Sequence, residues 1–514
     1  MWIVIGTRWV PNNEAAEPSK KRKFEEDSRE TVADTVKKRH CSPSKAAQPS
    51  TAHDTQKKTE KDAIYNGRPI ELLQPPITLW HPVFAKFRRL MSIPAETFRF
   101  SHDQLDRAKR FIVVSSKIYK QETERHSQLS ENSPFARPGC FTERILLNGQ
   151  VRPDGGASIW VKLPDGTSVE VFSCFTEIKN EVGVGDADPL MQAQSTYRAI
   201  YSSELLKPIR MLSCCPSFLI AIAGPHLYVS GAVFANRLIC EPLLDGSILI
   251  GPQFSSESDD RVSVGIQRVA HLMNALEECI SDVEKYYQDL HLNQGESQQR
   301  PYLQVQHHLC APHFRYFTTR DRKRVALEYV ERLAQEHTEK AVFKAFAKDD
   351  SENSSCLTVV VKFTPKYNQD AHIGLADVGL APKLWFCERV ESVGGWYVIV
   401  MDYVEPCEVG TICDHSGAVQ ALRRAIRILH EDNLVFGDLR EPNVLVTEDG
   451  TSAMLVDFDW CGKEGEVRYP NDVNLNREAI PWHADVCLGG EMKKEHDKWM
   501  FTTMTGEGIE MSES

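Results

Sequence analysis

Apolar positions fall into three regimes along the chain. Up to residue 62, Ser, Lys, Glu, Thr and Ala dominate and no apolar period is sustained, a composition that predicts a disordered tail. From Pro69 to about Glu131, stretches such as LWHPVFAKFRRLM and DQLDRAKRFIVVSSKIYKQ carry apolar residues at helical spacing. Strand-like runs follow within Val151–Gly183, then a helical DPLMQAQSTYRAIY and the strands FLIAIAG and LYVSGAVF. The apolar stripe of RVSVGIQRVAHLMNALEECISDVEKYYQDL predicts a long amphipathic helix that closes this first unit. HLNQGESQQRPY is polar and breaks the pattern, so a domain boundary is expected there. The next unit contains the β-branched CLTVVVKFTPKY, the strand WYVIVMDYVEP and the helical AVQALRRAIRILH. It then reaches two short apolar runs, Val444–Val446 and Ala453–Val456, about an Asp449-Gly450 turn. The expected organisation is a tail at 1–62, a first domain at 63–290 with a helical N-terminal extension, a linker at 291–311 and a second domain at 312–514.

Composition narrows what these units are. With 514 residues, 41% of them hydrophobic, the chain has material for two or three buried cores. No window approaches eighteen consecutive apolar residues, and the MWIVIG opening is too short for a secretory h-region, so no membrane partner and an intracellular location are expected. The 14 cysteines are scattered without CxxC spacing, which suits reduced thiols and offers no zinc motif. The first 62 residues hold 13 basic and 10 acidic side chains; with −12 on the whole chain, the remainder is near −15 and does not advertise general nucleic-acid binding. Within the tail, KKRK at Lys20–Lys23 and KKRH at Lys37–His40 have the pattern of a bipartite nuclear-import signal.

The densest chemistry lies in ILHEDNLVFGDLREPNVLVTEDGTSAMLVDFDWCG, Ile428–Gly462. Asp438 stands five residues before Asn443, and Asp457 fourteen after it, the spacing of a protein-kinase catalytic loop and its metal motif. Phosphoryl transfer needs a carboxylate to accept the hydroxyl proton and oxygen ligands to hold Mg²⁺ on the nucleotide phosphates. Asp438 suits the first role, Asn443 and Asp457 the second, and Arg440 places a cation beside the transferring group. The hairpin between them is expected to bring Asn443 and Asp457 together at its open end. Upstream, Lys362 ends a β-branched strand 76 residues before Asp438, where a nucleotide-anchoring lysine belongs. WYVIVMDYVEP runs from strand to hinge, and main-chain groups of Met401 to Tyr403 are expected to hydrogen-bond an adenine. The nearest acid for Lys362 is Asp370, one methylene shorter than the usual Glu, and that ion pair is left unassigned. No GxGxxG precedes Lys362, and AFAKDDSENSS is the connector left to cover phosphates.

This stretch resembles the protein-kinase-like proteins that fungi carry in large numbers, in which VFGDLR and DFDW replace the usual HRD and DFG. The resemblance covers about residues 340 to 502. It implies a kinase-like fold that uses ATP with Mg²⁺ or Mn²⁺ on a protein substrate. Phe436 and Gly437 stand where kinases carry His and Arg, which removes the arginine through which a phosphorylated activation loop acts. Asp459 replaces the Gly of the metal motif, which changes the backbone freedom after the metal ligand. Asp497 in EHDKWMF resembles the start of a kinase's central C-lobe helix. Thirteen residues follow Phe501, so a minimal, C-terminally truncated kinase-like domain is expected.

A second constellation sits in VRPDGGASIWVKLPDGTSVEVFSCFTEIKNEVG. Pro153-Asp154 and Glu177-Ile178-Lys179 are the parts of a PD-(D/E)XK nuclease core, in which two carboxylates bind a divalent metal and a lysine positions the attacking water. If Asp165-Gly166 is a two-residue hairpin turn, paired residues have numbers summing to 331, as Asp154 and Glu177 do. Both carboxylates then share one side of the sheet with Lys179 two residues along, and the following helix brings Gln192 and Tyr197 near. Here too the resemblance is to the fungal proteins, where EIKNE precedes the kinase-like domain. Crinkler-type effectors are similar in joining a restriction-endonuclease-like module to a kinase-like one.

The expected fold class is α+β, a restriction-endonuclease-like domain followed by the minimal kinase-like domain. The expected activity is ATP- and Mg²⁺-dependent phosphoryl transfer to a Ser/Thr hydroxyl. Two alternatives stay open: a nucleotide-binding pseudokinase, and a nuclease–kinase effector acting on DNA in the nucleus through its first domain.

Overall fold

Each of the two patterned regions builds one six-stranded sheet. The computed structural model describes residues 28–137, 139–163, 166–183, 187–247, 261–291, 310–334, 337–349, 356–407 and 410–509, and it is a mixed α+β structure. Chain contacts separate a first unit, Pro18–His313, from a second made of Phe314–Glu391 and Gly395–Ser514. The KKRK cluster and most of the expected linker lie outside the described residues. Among those residues, no helix is long and apolar enough to cross a membrane.

In the first unit the strands are β1 (Ile64–Tyr65), β2 (Gly155–Lys162), β3 (Ser168–Lys179), β4 (Ser217–Ala223), β5 (His226–Phe234) and β6 (Leu238–Ser247), in the order β1-β6-β5-β4-β3-β2. All seven residues of β4 are buried, as a continuous apolar run in mid-sheet requires. Strands β3 and β4 run parallel, and a parallel pair needs a crossover; the helix Pro189–Tyr201 supplies it. Its start is set by Pro189 in the first turn and by Asp188, whose carboxylate accepts from the Leu190 and Met191 N–H groups. The helix Arg261–Gln288 buries Val269, Leu272, Met273, Leu276, Ile280 and Val283, which fall on one helical face, against β2, β3 and the helices Pro82–Ser92 and His102–Ser115.

The register of β2 on β3 reaches the expected pairing by a different path. Next to the turn, Lys162 pairs with Ser168 and Trp160 with Glu170; Leu163 also accepts the Gly166 N–H and donates its own to Thr167. That spacing makes the turn one residue longer than an Asp-Gly pair. A bulge between Ala157 and Ser158 then shifts the register by one, so that Gly155 pairs with Thr176 and Asp154 comes level with Glu177.

The expected tail is corrected from residue 28 onward. Ser28–Arg39, Pro43–Ala46 and Pro49–Thr55 are helices of the first unit. Val32 and Ala33 are buried, and the buried Arg29 guanidinium donates to the Arg210 and Ser213 carbonyls at 2.7 and 2.8 Å. This segment docks through small residues and one arginine rather than an apolar stripe, so it carries no period to read. In KKRH, Lys37 pairs with Asp34 and Glu204, and Arg39 with Glu60 and Asp62.

In the second unit β7 (Tyr316–Thr318), β8 (Arg324–Leu333), β9 (Ala341–Asp349), β10 (Leu357–Thr364), β11 (Leu384–Val390) and β12 (Trp396–Asp402) form an antiparallel sheet, ordered β11-β12-β10-β9-β8-β7. The helix Gln369–Ala376, N-capped by Asn368, joins β10 to β11. The helix Ser416–Glu431 buries Ala418, Val419, Leu422, Ala425, Ile426 and Leu429 along one face. It is followed by two small ladders, β13 (Leu434–Val435) with β16 (Gly462–Lys463) and β14 (Val444–Val446) with β15 (Ala453–Leu455), and by the helix Lys494–Thr505.

Candidate active site

The β14–β15 hairpin places the candidate residues as its sequence implied. Val444 pairs with Leu455, and the Val456 N–H donates to the Asn443 carbonyl at 3.0 Å, so Asn443 and Asp457 flank the open end. The loop before β14 is held from behind by Asp497 on the helix Lys494–Thr505. Its carboxylate, 1% exposed, accepts the Phe436 and Gly437 N–H groups at 2.8 and 2.9 Å and contacts His430 Nε2 at 3.0 Å. Gly437 has a φ of +81°, and a Cβ there would lie 2.6 Å from Met492 Sδ, so the position suits glycine and not the arginine kinases carry.

Asp438 is fixed from both sides. Arg440 grips it in a two-pronged pair, Nε to Oδ1 and Nη2 to Oδ2 at 2.7 Å, and Asn443 Nδ2 donates to Oδ2 at 2.8 Å. Burial works against the Arg440 charge, but Asp438 more than offsets it and raises the guanidinium further above its usual range. The Arg440 guanidinium also stands 5.8 Å from the Trp482 ring centre.

Lys362 projects from β10 to a pair of carboxylates. Its Nζ donates to Asp457 Oδ1 and to Asp459 Oδ1, each at 2.6 Å, and Thr364 Oγ1 donates to Asp459 Oδ2 at 2.8 Å. Burial opposes the ammonium, yet the two aspartates push Lys362 up to about 12. Burial likewise opposes the Asp457 charge, but Lys362, helped by Lys340, holds that carboxyl well below its usual range. Asp459 takes the opposite shift: burial, then the Asp457 charge, push it up to about 7. Asp457 sits at φ +72°, a left-handed backbone uncommon for aspartate and often found where a site over-determines it. The motif's Phe458 is buried against His372, whose ring stacks on it at 4.9 Å, while Asn368 N–H donates to the Phe458 carbonyl at 3.1 Å.

Two site expectations change, and one open assignment is filled. The acid partner of Lys362, which the sequence leaves unassigned, is Asp457 together with Asp459, while Asp370 is exposed. Asp459 was legible only as a missing glycine; its role as a lysine partner depends on how the chain turns after Phe458. The connector AFAKDDSENSS joins the far ends of β9 and β10, since Leu357 pairs with Ala347 while Lys362 pairs with Val342. The turn at the Lys362 end is the one from β8 to β9, and its Lys340 Nζ lies 3.9 Å from Asp457 Oδ2. At the expected hinge, the Asp402 and Tyr403 N–H groups are already donated to the Lys383 and Thr358 carbonyls. Met401 contributes its side chain, buried with Leu333, Val342 and Val360, and Tyr403 packs on that cluster.

In the first unit, Asp154 and Glu177 lie together where β2 leaves β3. Asp154 Oδ2 accepts the Ile178 N–H at 2.7 Å. Glu177 is fully buried, with Gln192 Nε2 on Oε2 at 2.5 Å and Thr196 Oγ1 on Oε1 at 2.7 Å. Gln192 and Thr196 are four residues apart on one helix face, a spacing from which Thr196 was readable. Burial, then the Asp154 charge, push Glu177 up to about 8, and burial raises Asp154 as well. Lys179 Nζ donates to Glu122 Oε1 at 3.1 Å. Tyr197 is not part of this group; its hydroxyl donates to the Cys215 carbonyl.

No protein-family model matches the chain, and no curated protein matches it. Solved structures do match. One is the kinase PK-1 of Cydia pomonella granulovirus, at 16% identity and a TM-score of 0.24, over 33% of this chain and 66% of that one. The chain thus spans just under two thirds of the viral kinase's length, and a likeness that slight leaves the functional argument to the residues themselves.

Proposed function

We propose that the second unit is a protein-kinase-like phosphotransferase that moves the γ-phosphoryl group of ATP to a Ser or Thr hydroxyl of a protein substrate. The observation that carries this is the convergence of Asp438, Asn443, Asp457 and Lys362 on one end of the β14–β15 hairpin. A residue set of that kind has a charge state suited to the work. Asp457 is kept ionised at neutral pH by Lys362, so it offers a cation an oxygen ligand without first losing a proton. Asn443 spends its amide nitrogen on Asp438, which leaves its amide oxygen to turn to the same cation. Asn443 and Asp457 are therefore the residues that would hold Mg²⁺ or Mn²⁺, which supplies neutralisation of phosphate charge when bound. Lys362, released from Asp457, anchors nucleotide phosphates, and the apolar cluster at Met401 receives the base. Asp438 accepts the hydroxyl proton after the substrate displaces one of its two donors, and Arg440 stabilises the charge that develops beside it. Radiolabelled γ-phosphate transfer from ATP, to the chain itself and to a generic acceptor, tests the reading. Transfer that disappears in Asp457→Ala supports it; folded protein that binds nucleotide without transfer makes it a pseudokinase.

The Asp154–Glu177 pair favours a second activity for the first unit, metal-dependent cleavage of a DNA phosphodiester. Two carboxylates brought together by burial, one raising the proton affinity of the other, are a site a divalent cation would relieve. Mg²⁺- or Mn²⁺-dependent nicking of plasmid DNA that is lost in Glu177→Ala supports this activity, and no nicking by wild type refutes it.

A further inference from the structure

Outside both clusters, three side chains of the second unit are arranged as a ligand set. Among the described residues, His483, Asp485 and His496 each offer one ligand atom, and these atoms lie within 4.8 Å of one another. His483 and Asp485 belong to the segment between β16 and the helix Lys494–Thr505; His496 lies in that helix's first turn. The two imidazole rings stack with centres 5.1 Å apart.

A second observation points to a ligand. His496 is 2% exposed, and its ring is satisfied on one side only. Nδ1 meets Tyr469 Oη at 3.0 Å, whereas the buried Nε2 has no hydrogen-bond partner among the described residues. Buried polar atoms are nearly always paired, so an orphaned ring nitrogen calls for an explanation. In the tautomer whose Nδ1–H donates to Tyr469 Oη, the lone pair sits on Nε2, the arrangement in which an outer hydroxyl fixes the tautomer of a metal-binding histidine.

We propose that His483, Asp485 and His496 bind a divalent transition metal, with zinc the best-fitting ion and water completing the coordination. Two imidazoles and one carboxylate form a zinc donor set, whereas Mg²⁺ and Ca²⁺ favour all-oxygen sites. Bonds of about 2 Å to a tetrahedral ion place donors roughly 3.3 Å apart, so binding draws the three atoms inward. It also replaces two contacts, Asp485 N–H on His483 Nδ1 at 3.2 Å and Lys493 Nζ on Asp485 Oδ2 at 3.5 Å. His496 immediately precedes Asp497, which holds the Phe436 and Gly437 N–H groups. The metal thus fastens the segment after β16 to the helix that positions the Asp438 loop.

The test uses the full chain, stripped of metal with a chelator and titrated with Zn²⁺ by calorimetry, beside the double variant His483→Ala/Asp485→Ala. That variant leaves the buried His496 untouched, and circular dichroism verifies its fold. The expected result is one Zn²⁺ per wild-type chain, bound at least ~100-fold more weakly by the double variant. Co²⁺ in place of Zn²⁺ should give the strong visible bands of a tetrahedral site in wild type alone. Equal affinity in both proteins, or no one-to-one binding by wild type, overturns the proposal. The readout is binding, so either result stands apart from the phosphotransfer assay.

Discussion

Asp457 and Glu177 begin with the same surroundings and end in opposite states. Each is enclosed, each has a second carboxylate beside it, and each shares its site with a lysine. Lys362 points at Asp457 and donates to it at 2.6 Å, which keeps the carboxylate ionised. Lys179, two residues after Glu177, donates to Glu122 instead, and Glu177 is capped by the neutral Gln192 and Thr196. Burial and Asp154 then outweigh the opposing pull of Thr196, Lys179 and Gln192, and Glu177 holds its proton up to about pH 8. The inventory of residue types does not decide what such a site is ready to do; the direction of one lysine does. At neutral pH Asp457 offers a cation a charged ligand, whereas a metal at Glu177 must first displace a proton. This is why phosphoryl transfer stands as the main reading and phosphodiester cleavage as the second.

Removing the lysine should break the comparison most strongly. Lys362→Met leaves Asp457 and Asp459 facing each other without the cation they share, and the chain should lose about 3 kcal/mol in urea unfolding. A loss below ~1 kcal/mol would mean that Lys362 does not set the charge of Asp457. Asp457→Ala should lower the phosphotransfer rate at least ~100-fold, about 2.7 kcal/mol of barrier, in a γ-phosphate assay.

The pH dependence sharpens the contrast. Glu177 in the folded chain keeps its proton to about pH 8, against an ordinary value of 4.5. The folded state therefore binds more protons than the unfolded state between those values, and stability is greatest below pH 4.5 and falls as pH rises to about 8. The slope from this one group is at most about 1.4 kcal/mol per pH unit, and Glu177→Gln should remove it from denaturation curves taken across that window. Asp457, shifted the other way, stabilises the fold above its ordinary value of 3.8 and loses that contribution on acidification. The smallest effect belongs to Lys179→Met, within ~1 kcal/mol in the same unfolding assay, because its partner Glu122 is 43% exposed and its pairing is screened by water.

Local patterns made much of this legible. GDLREPN and LVDFD are bridged by one short hairpin, so spacing alone placed Asp438, Asn443 and Asp457. The Asp154–Glu177 level followed from strand arithmetic, where a longer turn and a compensating bulge happened to cancel. What stayed hidden depends on contacts between distant segments. Lys362 reaches Asp459 across 97 residues, and only the sheet order shows that the β8–β9 turn, not the β9–β10 connector, faces that lysine. The helix Ser28–Arg39 was unreadable because its anchor is the polar Arg29. His483 and Asp485 meet His496 from a segment with no regular period, so no motif announced them.

The most direct measurement is a crossed assay of wild type, Asp457→Ala and Glu177→Ala, each scored for γ-phosphate transfer from ATP with Mg²⁺ or Mn²⁺. The account predicts that transfer is lost in Asp457→Ala and kept in Glu177→Ala. Transfer that survives Asp457→Ala, or a folded wild-type chain that transfers nothing, would contradict it.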